Sequence, residues 1–567
     1  MKRRTRAIAL CLTLSGGVAA WAAAPSEAAG ATLTVNVGST VRPVTHVGAG
    51  GLYALATGSQ PTLSMLLPLH LNQLTQPPPG VQQLGNGASS PTGDALIVGP
   101  NAVSAGAQQY VRMPDIYKDF PYKWVSWSDW EAKVKKIIAD RRAATGLTNI
   151  NGWELWNEPD WTWNTSSAGD FNAGWTRTFQ LIRSVDSITP IVGPSYSNYN
   201  HARMLAFLQN AKNTNTVPNT IVWHELDDMN WTAFAGHVSD YRAIESSLGI
   251  TPRPISINEY TSFNQDAIPS VALHWISVFE RYGAHDAERA YWHESGTVNG
   301  LLYNNKPTAE YWMYKWYGDQ TGNIVQTVPT TWLDGVASYD STRQIVNVIA
   351  GGDTGNNSVR ITGLSALGSS VKVTVSSVPN SGRLTNVSAP TTVASSTYTV
   401  SGGAITVPLN NMDPGMAYQV LVTPSAGPTT SWQQVYEAEN ASVVNGNRFS
   451  STSASNGGYV GQLDHATDSR DDSFVDFLVN VPCAKTYTMT IRYANGTGAT
   501  ATHGLAYNGG AWTTISYPAT SAWGVFGSTV STTVNLKAGY NMIRLAKGSP
   551  GLVAGTGYAE LDSIKLS

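Results

Sequence analysis

The sequence predicts a multidomain protein: a (β/α)8 TIM barrel with an appended β-sandwich, then a separate C-terminal β-sandwich of jelly-roll type. Three observations predict it. Between residues 43 and 320 short apolar runs alternate with helical segments, the mark of a parallel sheet, and about 270 residues suits such a barrel. Helical periodicity then stops, and from 321 to 423 Val and Thr alternate between clusters of Gly, Asn, Ser and Pro, as in the strands of a sandwich. Residues 424–431 (PSAGPTTS) have linker composition, and 432–567 is strand-rich again, about one sandwich in length.

The elements follow in order. Residues 1–29 read as a secretory signal peptide: Lys2, Arg3, Arg4 and Arg6 precede an apolar run, and Ala22, Ala23, Ala24, Ala28 and Ala29 offer small cleavage-site residues. The alternative is a membrane anchor, but the run is short and broken by Ser15-Gly16-Gly17. Whether Arg3-Arg4 marks the twin-arginine or the general export route stays open. Residues 30–42, with Leu33, Val35 and Val37 alternating with polar residues, predict a strand that joins the accessory sandwich. In the barrel, helices are expected at 127–145, 171–187, 202–212, 232–248, 270–282 and 308–316. Strand-like runs fall at 152–158, 190–195, 220–224, 254–259 and 289–293. Strand one is assigned to 44–53, the first helix to 61–75 and the third strand to the region of 110–113.

Composition excludes several classes. Of 567 residues only 13% are charged and the net charge is −3, so nothing forms a nucleic-acid footprint. Cleavage after residue 29 would leave 31 basic and 37 acidic residues and a single cysteine, Cys483, read as a buried core thiol. With 42% hydrophobic residues the chain is not disordered. Low charge and 19 tryptophans suit a secreted, extracellular protein that handles neutral polar ligands; a monomer with no membrane partner is expected. Trp153, Trp156, Trp161, Trp163, Trp223, Trp231 and Trp292 are expected to crowd the barrel's strand ends, where indole faces could stack on sugar rings.

The chemistry rests on two carboxylates. In Gly152-Trp153-Glu154-Leu155-Trp156-Asn157-Glu158-Pro159-Asp160, residues 154, 156 and 158 would share the inward face of a strand. Glu158 would then sit at the C-terminal mouth, where active sites of this fold lie. A second apolar strand ends in Asn258-Glu259-Tyr260, with Glu259 101 residues beyond Glu158. Two strand ends lie between them, consistent with strands four and seven. A retaining glycosidase needs one carboxyl group as nucleophile and another as acid and then base, roughly 5 Å apart. An anionic neighbour would keep Glu158 protonated before bond cleavage. The bland alternatives are that Glu158 caps the next helix and that His224 is a core histidine. Glu154 reads as a buried structural carboxylate, Glu225 and Glu294 as rival nucleophiles, and Trp292 as either platform or core.

Trp156–Asp160 (WNEPD) with Asn258–Tyr260 (NEY) resembles the glycoside hydrolases that carry their acid/base on strand four and nucleophile on strand seven. Family 39 is most similar, through residues 258–264, Val222-Trp223-His224, and Gly300-Leu301-Leu302 running through Lys306-Pro307 into a helix. The resemblance implies Glu158 as general acid/base, Glu259 as nucleophile, and Asn157, His224, Trp161, Trp292 and Tyr260 as substrate-binding, with no cofactor for catalysis. The family's His-x-Tyr on strand six is replaced here by His224-Glu225-Leu226.

In the last domain Glu437 and Glu439 would share one strand face, with Asp562 from the terminal strand joining them, a set of hard oxygen ligands for Ca2+. With residues 456–461, 492–496, Trp523 and 536–545, this region resembles carbohydrate-binding module family 35 or the related family 6. The resemblance implies a structural calcium held by Glu437, Glu439 and Asp562, and a sugar site near Tyr459, Asn495 and Trp523. The function expected is a secreted retaining glycoside hydrolase acting, in exo fashion, on plant-type polysaccharide carrying xylose, arabinose or galactose. The alternatives are an endo-acting glycanase of the same clan, a catalytically inactive carbohydrate-binding protein, and an adhesin or scaffold.

Overall fold

The computed structural model describes residues 30–81, 92–117, 119–146, 148–290, 295–427, 432–463, 473–482, 484–537, 539–547 and 557–567. Eight parallel strands close a barrel: β1 (Gly50–Leu52), β2 (Gln73–Gln76), β3 (Gln108–Arg112), β4 (Ile150–Glu154), β5 (Ile191–Tyr196), β6 (Thr220–Trp223), β7 (Ile255–Tyr260) and β8 (Asp286–Arg289). β8 returns to β1 through Gly50↔Glu288 and Gly51↔Arg289. Space there is short. A Cβ on Gly50 would stand 2.5 Å from the Ala287 carbonyl, closer than real contacts allow, so only glycine fits.

The outer helices include Trp127–Ala143, Phe171–Val185, His201–Asn213, Trp231–Leu248, Pro269–Tyr282 and Ala309–Gly318. Ser126, Asp170 and Asn200 cap three of them by accepting the amide three residues on, which satisfies otherwise orphaned donors. The first helix is shorter than the sequence suggests. Only Leu63–Leu66 is α-helical, Pro68 falls in the 3-10 turn that follows, and 73–76 is already β2.

The strand Thr32–Pro43 lies outside the barrel. It pairs antiparallel with Asn323–Val328 and parallel with Gly355–Thr362, in a nine-stranded sheet with the strands of the region 334–424. Leu33, Val35, Val348, Val359, Ile361, Val373 and Val420, from strands spread across the sheet, share one core, so the sheet wraps on itself.

The C-terminal unit is two packed sheets of six and five strands around Val460, Val475, Tyr487, Ile491, Ile543 and Ile564. It rests on the barrel's last helix. Asp319 accepts from Asn480 Nδ2 at 2.9 Å and from Tyr540 Oη, and Tyr540 meets Trp312 edge to face at 5.5 Å. Cys483 and the leader, residues 1–29, lie outside the described residues. No described helix is long and apolar enough to cross a membrane.

Candidate active site

β4 ends at Glu154, so Glu158 is not the last residue of a strand face as the alternation suggested. Glu154 points into the barrel and is fully buried. Arg112, at the end of β3, holds it through Nε–Oε2 at 2.7 Å and Nη2–Oε1 at 3.2 Å. Asn258 donates to the same Oε1 at 2.7 Å. Trp156 is buried among Tyr122, Trp124, Trp130 and Trp163. The chain then turns. Glu158 adopts the left-handed region, φ 50° and ψ 52°, which costs a non-glycine residue about 1 kcal/mol. Its amide donates to the Ser195 carbonyl at 2.8 Å, and Pro159 starts a short helix. The turn lifts the Glu158 side chain to the mouth.

Glu259 arrives from the opposite side on β7. Its Oε1 accepts from Arg112 Nη1 at 2.6 Å, and Oε2 accepts no hydrogen bond among the described residues. His224, directly after β6, is fully buried between the two acids. Its Nδ1 lies 3.1 Å from Glu158 Oε1 and its Nε2 lies 3.7 Å from Glu259 Oε1. One oxygen of each carboxylate and a His224 nitrogen all fall within 4.8 Å of one another.

This surrounding sets the charges. Burial favours a neutral Glu158, but the His224 hydrogen bond and charge, then Arg112 and the Trp161 N–H, outweigh it and hold its carboxyl below the usual range. For His224, burial opposes the imidazolium, and Glu259 and Glu158 overcome that and raise it. The sequence reading weighed the anionic neighbour alone; His224, which it placed in the cleft, lies between the two acids and pulls the Glu158 carboxyl the other way.

Other residues divide. Trp161 is 53% exposed and donates its indole N–H to Glu158 Oε2 at 2.9 Å. Phe120, 52% exposed, meets it edge to face at 5.2 Å. Asn157 is buried with Oδ1 unpartnered. Tyr260 does not face the cleft. Next to Glu259 on an alternating strand, it points outward onto Trp275 and Phe279, and its hydroxyl donates to the Gly48 carbonyl at 2.9 Å. Glu225 is also withdrawn, accepting from Trp223 at 2.6 Å and facing His237 Nδ1 at 2.8 Å. Trp292 and Glu294 lie outside the described residues. Trp153, Trp156, Trp163, Trp223 and Trp231 are buried, so these tryptophans build core rather than sugar platforms.

The sequence reading missed Arg112 and a further carboxyl. Asp115 is buried and accepts from Tyr53 at 2.5 Å and Tyr122 at 3.0 Å. Burial pushes it up to about 7 against the pull of Arg112 and the two tyrosines. The signal available was a lone Arg and Asp in the apolar run Tyr110-Val111-Arg112-Met113-Pro114-Asp115.

In the C-terminal unit, Glu437 ends a strand and Glu439 sits in the 3-10 turn Ala438–Asn440, so the two do not share a strand face. The three acids gather at one loop. Ser455 Oγ donates to Glu437 Oε2 at 2.7 Å, and the Ser455 amide donates to Asp562 Oδ1 at 2.9 Å. Arg492 pairs with Asp562 at 2.8 Å. Glu439 Oε2 is buried without a hydrogen-bond partner, and burial, then Glu437 and Asp562, push its carboxyl up to about 7. Hard oxygens around an unpartnered carboxylate suit Ca2+ chemically, but Arg492 already pairs with Asp562 and the three acids do not bring one oxygen each within 4.8 Å of one another. Tyr459 stacks on Phe449 at 5.4 Å, and Trp523 is exposed over Gly496. Asn495 is instead fully buried and donates to the Ala499 and Tyr517 carbonyls, which removes it from a sugar-contacting surface.

Residues 434–567 match the family model for carbohydrate binding module family 35. N2152 of Neocallimastix frontalis is 34% identical, with a TM-score of 0.66 over 70% of this chain and 100% of its own. The chain belongs to the family of N2152. The family 39 glycoside hydrolase of Xanthomonas axonopodis pv. citri shares the fold: TM-score 0.51 at 13% identity, over 71% of this chain and 99% of its own. The barrel with its appended sheet thus shares its fold with that enzyme. A curated relative from Bifidobacterium pseudocatenulatum, a 3-O-β-L-arabinopyranosyl-α-L-arabinofuranosidase, is 27% identical over 66% of this chain. The chain spans 46% of that relative's length.

Proposed function

We propose that the chain is a secreted retaining glycoside hydrolase that removes arabinofuranosyl or related units from plant-type polysaccharide in exo fashion. The observation that carries this is the pair of acids at the barrel mouth, with carboxylate oxygens within 4.8 Å, close to the separation used for double displacement rather than the wider gap that admits a water. Arg112 fixes one oxygen of Glu259, and Oε2 attacks the anomeric carbon while Glu158 protonates the departing oxygen. Glu158 then takes a proton from the water that hydrolyses the ester. Asn157 Oδ1 has no hydrogen-bond partner but is closed off from solvent, so it would meet a sugar hydroxyl only after local movement.

The C-terminal module would hold the enzyme on its polysaccharide through Tyr459 and Trp523, with a structural Ca2+ held by Glu437, Glu439 and Asp562. The relative from Bifidobacterium makes α-L-arabinofuranosides the first substrates to test. A panel of aryl glycosides and plant polysaccharides tests the whole reading. Sugar release that is lost in Glu259→Ala supports it, and no release from any member overturns it.

A further inference from the structure

The hydrolase reading leaves one chemical problem. Glu158 must deliver a proton to the leaving oxygen, and the titratable group in hydrogen-bond contact with its Oε1 is His224 Nδ1, at 3.1 Å. Among the described residues, three side chains contact the Glu158 and Glu259 carboxylates: Arg112, Trp161 and His224. Arg112 does not release a proton in this range, and an indole N–H does not titrate.

His224 has both ring nitrogens directed at acid oxygens, Nδ1 hydrogen-bonded to Glu158 at 3.1 Å and Nε2 3.7 Å from Glu259, where it makes no hydrogen bond. A neutral imidazole would aim a lone pair toward one of two anions, whereas the imidazolium donates to Glu158 and presents its second N–H toward Glu259 as a charge contact at 3.7 Å. Its charged surroundings are Glu158, Glu259 and Arg112, with Glu154 behind the guanidinium.

We propose, resting on the hydrolase reading, that His224 is a positioning residue that stores the catalytic proton and passes it from Nδ1 to Glu158 Oε1. In this step the Nδ1–H bond breaks, the O–H bond forms, and the imidazole becomes neutral. Glu158 then gives that proton to the leaving oxygen as Glu259 becomes an ester. In the second half, water yields its proton to Glu158, Glu259 regains its charge, and the proton returns to His224. Net charge at the site is unchanged throughout.

The test compares wild type with His224→Gln on two substrates with one glycone: an arabinofuranosyl disaccharide, whose leaving group needs a proton, and α-L-arabinofuranosyl fluoride, whose leaving group needs little help. Two coupled acceptors hold one proton to a higher pH than either alone. The alkaline limb of kcat/KM on the disaccharide should therefore move down by about one pH unit or more in His224→Gln, while the fluoride profile keeps its shape. An unmoved limb, or equal losses on both substrates at every pH, overturns the proposal. If His224→Gln does not fold, infrared difference spectra of wild type minus Glu158→Gln decide. No protonated-carboxyl stretch from Glu158 at neutral pH supports storage on His224, and a clear one refutes it. If Glu158→Gln hydrolyses the disaccharide as fast as wild type, the hydrolase reading itself has failed.

Discussion

Arg112 is the single residue whose loss should cost the barrel most. It makes three charge-assisted hydrogen bonds, two to Glu154 and one to Glu259, at 2.7, 3.2 and 2.6 Å. All three side chains are nearly or fully buried. In Arg112→Met the methionine fills much of the space but leaves Glu154 without a counter-charge and Glu259 with His224 alone, 3.7 Å away. Breaking a buried pair from one side costs about 3–5 kcal/mol. Against a domain stability of about 5–15 kcal/mol, that is a large share.

The assay is urea unfolding followed by tryptophan fluorescence, since Trp130, Trp153, Trp156, Trp175 and Trp223 are all buried in the barrel core. The double variant Arg112→Met/Glu154→Gln removes one of the stranded charges. It should be less damaged than the two single losses summed, by at least about 1 kcal/mol. A single-variant loss below about 1 kcal/mol, or strict additivity in the double, would refute the claim that Arg112 neutralises this pair.

Three further predictions follow from particular contacts. Asp115 is raised to about 7 in the fold against about 3.9 unfolded, so the fold binds the extra proton between those values. Its stabilising contribution is full below about pH 4 and is lost as pH rises through about 7. Asp115→Asn should flatten that slope in thermal melts taken from pH 4 to 8, and an unchanged slope contradicts the assignment. Phe120→Ala removes one half of the exposed corner with Trp161 beside the acid/base. It should lower kcat/KM about tenfold on an arabino-oligosaccharide while sparing a methyl arabinofuranoside, whose leaving group cannot stack. Equal losses on both would place Phe120 in a structural role only. Chelation with EDTA should lower the melting temperature of the C-terminal module, and added Ca2+ should restore it. In Glu439→Gln both responses should vanish, and an EDTA-insensitive wild type would remove calcium from the account.

The parts of this molecule legible in sequence are those written locally. Apolar runs ending in Asn-Glu marked Glu158 and Glu259, and the rhythm of strand and helix marked the barrel that joins them across 101 residues. Parts that depend on closure were not legible. Arg112 is one cation in an apolar run until β3, β4 and β7 bring Glu154 and Glu259 to it. His224 shows as a cleft histidine, but its place between both acids needs β6 beside β7. Alternation carried Glu158 onto a strand that in fact stops at Glu154, because Trp156 is drawn into an aromatic cluster and the backbone must turn. The tryptophan excess misled for a related reason. Large rings fill the space between barrel and helices before any reach solvent, and Trp161 escapes because its short helix stands at the rim.

The central claim is that Glu259 and Glu158 act as nucleophile and acid/base of a double displacement. Proton NMR of the sugar first released from 4-nitrophenyl α-L-arabinofuranoside tests it most directly. The α anomer is the expected initial product, later mutarotating to the mixture, with azide rescuing Glu259→Ala as the inverted β-azide. Initial release of the β anomer by wild type would contradict it.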